Sequence, residues 1–344
     1  MTISAKEFAR QIGLSTVTIS RALNDDHRVN PETRQRVHKL AGKLGYQPNP
    51  MARALRKRHV PNIGLTVVGF SYEQTDLMLC TFGTFVQRLV VELAERGYNL
   101  VLGTMVDASS PESATTSLPR IVEERHVTRL ILLNHMWPNV AHELIRRNIR
   151  SVVVNGPGCG LPVVQRDEPG AVTTMVDHLV GLGHRRIAFM GLSWVGKGFR
   201  DRIMPEAYVT SMAKHNLPPM PGWDQHHTPE QTVNHLFALK QPPTAIVAYD
   251  DFRAAELTRQ LMKRGIAVPE QISVTAMLSH GPCATGVQRI TCISTPQSEM
   301  AAATVRLLMD EPGTQVDAAD TDAYARVIPG DLIRGETDGE PTAS

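Results

Sequence analysis

The stretch from Thr2 to Arg58 constrains this chain more than any other. Ser4, Ala5, Lys6 and Glu7 form a capping box: the Ser4 hydroxyl accepts from first-turn amides while Glu7 reaches back. Phe8 and Ile12 lie four apart on one helical face, so a first helix is predicted to end near Ile12, where Gly13 permits a turn. Ser15 is placed to cap a second helix, and Leu14 with Ile19 has the spacing of a hydrophobic staple. Ala9, Leu14 and Ile19 then close a small core between two steeply crossing helices, which is the spacing of a helix-turn-helix. Asn30 caps a third helix opened by Pro31. Val37, Leu40, Ala41 and Leu44 recur along it at helical intervals, and Gly45 ends it.

In such a unit the second helix enters the major groove of duplex DNA and its first turns meet base edges. Thr16, Val17 and Arg21 fall on that outward side and are the candidate base readers. The Val17 methyls suit a thymine methyl, and Arg21 suits a guanine in bidentate fashion. Thr18, Ser20 and Asn30 are candidate phosphate contacts. The plainer alternative at Val17 is an exposed valine that needs no explanation. The third helix is expected to brace the first two, with Arg34 and Arg36 solvating it.

Tyr46 to Pro50 stiffens the exit, and Met51 to Arg58 follows as a helix-capable segment barely two turns long. That length does not hold a helix alone in water. Laid on DNA it gains phosphate contacts from its arginines, Arg53 among them, and an apolar residue can wedge between base pairs. An ordinary charged linker is the competing reading. Charge placement favours DNA: residues 1–60 carry twelve Lys and Arg against four Asp and Glu, a net of +8. The whole chain is only +2, so the remainder carries −6, and a polyanion partner is implied for the head alone.

The 344 residues suit a small head plus one or two α/β domains, and 42% apolar with 20% charged residues argues against disorder. Cys80, Cys159, Cys283 and Cys292 are widely spaced without a CxxC, which reads as free thiols in a reducing compartment. No apolar run is long enough to span a bilayer. The start, MTISAKEFAR, lacks a basic-then-apolar signal, so a cytoplasmic location without a membrane partner is expected.

From Asn62 the pattern becomes short apolar runs alternating with helices. NIGLTVVG, YNLVLG, TRLILL, RSVVVN, Arg186–Met190, Thr244–Ala248 and Ile272–Met277 read as strands. Helices are predicted near 82–96, 118–126, 139–148, 171–182, 202–215, 230–240 and 251–264. This βαβ alternation implies parallel sheets covered on both faces. The polar, acidic end from Gly335 is expected to fray.

Ile3 to Asn24 (ISAKEFARQIGLSTVTISRALN) and Val29 to Leu55 (VNPETRQRVHKLAGKLGYQPNPMARAL) resemble the head and hinge of LacI-family transcriptional repressors. The segments recur in order at the expected separations. The resemblance implies that Thr16, Val17 and Arg21 match base-reading positions. It also implies that Leu55 matches the hinge leucine that enters the minor groove at the centre of a palindromic operator, and that the protein is a homodimer. Val17 departs from the polar or small residue frequent there.

The remainder resembles the periplasmic-binding-protein-like sensor of the same family, best at Asp167 near Gly170, at HLVGLGHRRIAFMG, PTAIVAYDD and RGIAVPEQISV, and at RITCISTPQSEMA. With the head, the resemblance covers about residues 2–333 and is loose in 70–125 and 192–230. The fold expected is a small all-α helix-turn-helix head joined to an α/β two-subdomain periplasmic-binding-protein-like body with parallel sheets. The head covers 1–46 and the hinge helix and linker 47–60; 61–163 with 291–322 form the first sensor subdomain, 164–290 with 323–335 the second, and 336–344 a disordered tail. Ligand is expected in the cleft at strand C-terminal ends.

By the same resemblance Arg202 matches the arginine that grips effector oxygens, for which a guanidinium offers a rigid fork. Asp250 stands at a cleft position, with helix capping as its plainer role, and Tyr249 replaces a frequent asparagine. Trp194 is a candidate stacking face. Leu278, expected to be exposed, stands where relatives carry an aspartate for sugar hydroxyls. Pro205-Glu206 and Thr128-Arg129 also depart from the family pattern. These departures point to a less hydroxylated effector than a standard sugar, acids included, within the class of sugars, sugar acids and related metabolites.

Gly191 to Gly198 nearly spells a phosphate-binding loop, but Gly198 follows Lys197 where a Ser or Thr must hold magnesium. Asp224, His226 and His227 lack a second ligand pair, and Ser193 lacks a GxSxG elbow. No catalytic residue, metal or cofactor is therefore assigned. The reading is a DNA-binding transcriptional regulator, most simply a repressor, controlled by a small-molecule effector. The alternatives are a DNA-binding structural protein without effector and an enzyme fused to a DNA-binding head.

Overall fold

The computed structural model describes residues 5–23, 26–44, 46, 62–67, 75–103, 118–134, 138–191, 200–221, 228–279, 289–309 and 325–342; the side chains of 6, 67, 75–81 and 200–202 are not among what is described. Ser4, Gly45, the hinge segment with Arg53 and Leu55, the loop with Ser193, Trp194 and Lys197, and Asp224, His226 and His227 lie outside the described residues. The chain divides into two compact units, Met1–Pro61 and Asn62–Ser344.

The first unit contains α1 (Ala5–Ile12), α2 (Thr16–Ala22) and α3 (Pro31–Leu44). Gly13 sits at φ +69° between α1 and α2, in the left-handed region that glycine enters without a Cβ penalty. Phe8, Ile12, Ile19, Ala22, Val29, Val37 and Ala41 pack into one core, with Leu14, Leu23 and Leu40 against its edge. Tyr46 closes it, its ring stacked on Phe8 at 4.3 Å. Arg36 Nη2 donates to the Ile12 carbonyl at 3.3 Å, tying α3 to the C-terminal end of α1. The turn before α3 is held by Asp26, whose carboxylate accepts from the backbone and guanidinium of Arg28.

The second unit is built on two sheets. The first has the order β10-β5-β4-β3-β1-β2, from β1 (Asn62–Val67), β2 (Asn99–Leu102), β3 (Arg129–Leu133), β4 (Arg150–Val154), β5 (Val163–Arg166) and β10 (Ala325–Ile328). Every pairing in it is parallel. The second has the order β11-β9-β8-β7-β6, from β6 (Ile187–Met190), β7 (Ala245–Ala248), β8 (Ser273–Ala276), β9 (Thr291–Ile293) and β11 (Leu332–Ile333). It is parallel except where β11 runs antiparallel to β9.

Side chains alternate along each strand, so both faces need cover. Ile131 and Leu133 face α4 (Thr75–Glu95) and α11 (Gln297–Met309), whereas Leu130 and Leu132 face α5 (Arg120–Glu123) and α6 (Pro138–Arg146). In the second sheet Ile187 and Phe189 face α7 (Glu168–Gly181) and α8 (Arg200–Lys214). Ala188 and Met190 face α9 (Pro229–Phe237) and α10 (Asp251–Lys263). Two-sided burial is why these strands read as continuous apolar runs.

Two expectations are corrected. The sheet memberships place Thr291–Ile293 in the second sheet and Ala325–Ile328 in the first, so the chain changes sheets after these strands rather than before them. The segment 336–342 is not frayed. Val274 N–H donates to the Thr337 carbonyl at 2.8 Å, and the Asp338 carboxylate meets His178 at 2.7 Å. His184 Nε2 lies 2.9 Å from the Gly339 carbonyl. The Thr337 hydroxyl accepts from Thr291 N–H of β9 at 3.1 Å and the Asp338 carboxylate from the Thr291 hydroxyl, and Gly335 is required because a Cβ there would collide with the Arg289 carbonyl.

Candidate DNA-reading face and effector cleft

In the first unit the Ser15 hydroxyl accepts from Thr18 N–H at 3.0 Å and capping fixes where α2 begins. Ile19 and Ala22 anchor the helix in the core. The 100° step then turns Val17 and Arg21, four apart, outward; both are exposed, Val17 at 52%. Thr16, Thr18 and Ser20 are half-buried beside them. The Thr18 hydroxyl is engaged by Ser15 Oγ at 2.8 Å, and the Asn30 side-chain oxygen accepts from Glu32 N–H at 2.8 Å. What Asn30 offers outward is therefore its amide NH2.

In the second unit the C-terminal ends of the strands carry the polar residues. Asn134 follows β3 at φ +63° and Asn155 follows β4 at φ +55°. Arg166 ends β5, 6% exposed. Its Nη2 reaches Glu168 Oε1 at 2.7 Å and the Tyr249 hydroxyl at 3.3 Å, so a first-sheet residue meets one that follows β7 in the second sheet. Burial opposes the Arg166 charge, but the Glu168 carboxylate and the Tyr249 oxygen outweigh it and hold its pKa above the ordinary arginine value.

Of the residues predicted for effector binding, Tyr249 and Asp250 are adjacent and buried. The Tyr249 ring lies 5.7 Å from the Arg253 guanidinium. Asp250 caps α10, accepting from Arg253 N–H at 2.9 Å and from its Nη1 at 2.5 Å. Leu278 is not exposed: it is 2% accessible and packs with Met277, Tyr249 and Ile293, because the turn after β8 folds back under α10, where Asp251 N–H donates to the Leu278 carbonyl at 3.1 Å. Arg202 lies on α8, and nothing is described of its side chain. Arg166, Glu168 and Asn134 were missed in the sequence. The signal available was a pair of charges closing the apolar run at 163–164, on either side of Asp167.

Among the described residues no group of His, Cys, Asp and Glu could hold a metal, and no helix is long and apolar enough to cross a membrane.

A helix-turn-helix head on a two-sheet body with polar strand ends defines a sequence-specific DNA-binding regulator. Residues 4–49 match the bacterial regulatory proteins of the lacI family, and residues 176–337 match the periplasmic binding protein-like domain. The HTH-type transcriptional repressor CytR of Escherichia coli (strain K12) is 26% identical over 345 residues, 98% of this chain and 96% of that protein. The HTH-type transcriptional regulator AglR of Rhizobium meliloti (strain 1021) is 28% identical over 291 residues, 80% of this chain and 78% of that protein. In fold, the crystal structure of the lac repressor dimer bound to operator and the anti-inducer ONPF superposes with a TM-score of 0.78 at 18% identity, covering 98% of this chain and 100% of that one. The transcriptional regulator CelR–cellobiose complex gives 0.60 at 20% identity, covering 97% and 99%. The head thus matches the lacI-family regulators and the second unit the periplasmic binding protein-like domain, the pair of parts that these relatives carry in the same order.

Proposed function

We propose that this regulator is a homodimeric repressor that occupies a palindromic operator and whose grip is set by a small molecule held between the two sheets of the second unit. The observation that carries the reading is the outward face of α2, where Val17 and Arg21 are free to meet bases while Ile19 and Ala22 hold the helix. Thr16, Val17 and Arg21 read sequence; Thr18, Ser20, Asn30 and Arg53 hold phosphates, and Leu55 wedges the minor groove. Affinity comes largely from phosphate neutralisation and falls steeply with salt.

Support for effector control comes from the polar strand ends and from relatives: one shared fold is a complex with cellobiose, another with an anti-inducer. Support for repression is the name of the CytR relative, and for dimerisation that the lac repressor structure is a dimer. Exposed Val90 and Val91 on α4 offer apolar surface to a second copy. Arg202, Asp250, Tyr249, Leu278 and Trp194 remain the effector residues proposed from the sequence, with Leu278 acting as cleft packing and Asp250 through its cap. Fluorescence anisotropy of the full chain on a selected palindromic duplex, with and without a low-molecular-weight metabolite extract, tests this. A shift in affinity is expected. Tight operator binding that no extract alters would favour a structural DNA-binding protein instead.

A further inference from the structure

Buried polar side chains almost always find partners. In the second unit Thr66 on β1, Asn134 after β3, Arg166 on β5 and Thr275 on β8 have side-chain atoms that reach none among the described residues. All four lie at or next to the C-terminal ends of their strands. A fifth, Thr232, sits within a helix. Asn134 is the plainest case: it is 2% exposed, its backbone N–H is fixed to the Val154 carbonyl at 2.8 Å, and both atoms of its amide are unpartnered. It presents one donor and one acceptor side by side.

Arg166 decides what kind of molecule belongs there. Nε and Nη2 both reach Glu168 Oε1, at 3.2 and 2.7 Å, and only Nη1 is left over. The two side chains are 4% and 9% exposed, so their charges cancel at close range without help from water. An incoming carboxylate or phosphate would lose its hydration to meet a cation already matched and a carboxylate that repels it. A carbonyl, ether or hydroxyl oxygen loses far less and still satisfies Nη1. Asn134 and Arg166 stand on strands separated by β4, about 10 Å apart at ordinary strand spacing, which one small molecule spans.

Resting on the effector reading above, we infer that the effector is uncharged, with an acceptor oxygen on Nη1 of Arg166 and a donor–acceptor edge on the Asn134 amide, and that the Arg166–Glu168 pair selects against acids. This reverses the inclusion of acids drawn from the sequence. The specificity device is the position of Glu168, two residues beyond Arg166, which cancels a charge that alone would attract anions.

The test is isothermal titration calorimetry of the full chain against matched pairs: D-glucose with D-gluconate, D-galactose with D-galacturonate, and uridine with uridine 5′-monophosphate. A neutral member is expected to bind at least tenfold more tightly than its acid. Glu168→Gln is expected to shift that ratio at least tenfold towards the acid. Asn134→Ala removes an amide that has no partner to lose; its φ of +63° costs the alanine some stability, read separately in the thermal transition, and the variant is expected to weaken the neutral ligand about tenfold. Binding of acids in preference to neutral partners, an unmoved ratio in Glu168→Gln or unchanged affinity in Asn134→Ala overturns the inference and leaves the sensor reading standing. Absence of any binding, with no thermal shift in metabolite extract, overturns the sensor reading and the inference with it.

Discussion

Arg166 donates from Nη2 to the phenol oxygen of Tyr249 at 3.3 Å, joining the end of β5 in the first sheet to the residue after β7 in the second. The two residues are 83 positions apart, and the contact is buried. Any change in how the two sheets face each other must therefore stretch or break it, which gives a bound molecule between them a mechanical handle on the body.

Tyr249→Phe keeps the ring beside Arg253 and removes only the hydroxyl. Because the donor is a guanidinium, about 1–3 kcal/mol of stability is expected to be lost. Urea unfolding reads it; an unchanged midpoint would show that the contact carries no weight.

Ser15→Ala deletes the cap that receives Thr18 N–H. A loss of about 1 kcal/mol is expected in the first unit, and with it weaker DNA binding, while the thermal transition of the second unit stays in place. Two-transition calorimetry distinguishes the units. A shift confined to the second unit would contradict the assignment.

Removal of residues 336–344 separates a frayed tail from a built-in one. The packed tail predicts loss of partners for Val274, His178, Thr291 and His184 and a clear fall in melting temperature. A truncated chain as stable as the whole would restore the frayed picture.

The head was readable because its signals are local: Ser15 serves Thr18 three residues on, and Asn30 serves Glu32 two residues on. The strands with both faces covered announced themselves as apolar runs, such as 130–133 and 245–248. Val163–Arg166 and Ala325–Ile328 were harder, since each carries an arginine whose place depends on distant chain. The Arg166 contact and the burial of Leu278 are tertiary facts without a local signature. The tail reads as polar and terminal, and its partners, His178 and His184, lie some 160 and 155 residues earlier.

His184 gives a pH dependence. Burial holds its pKa below the ordinary 6.5, against the opposing pull of the Gly339 carbonyl and Asp338. The unfolded chain thus binds the proton more readily than the folded one. Its contribution to stability is complete above about pH 6.5 and is lost as pH falls through the folded value. Melting temperature is expected to fall between pH 7 and 5, and His184→Gln to flatten that slope. The Asp338 carboxylate, depressed by its His178 and Thr291 bonds after burial is overcome, acts only below about pH 4. A slope unaltered in His184→Gln would place the titration elsewhere.

The central claim is that α2 reads sequence through Thr16, Val17 and Arg21. Binding-site selection from a random duplex pool with the full chain tests it directly, run in parallel with Arg21→Ala. The account predicts enrichment of a palindrome by the native protein and a relaxed preference at one symmetric base pair in Arg21→Ala, at a cost of about 1–3 kcal/mol per lost contact. A native pool without any enriched palindrome, or an Arg21→Ala pool identical to it, would contradict the account.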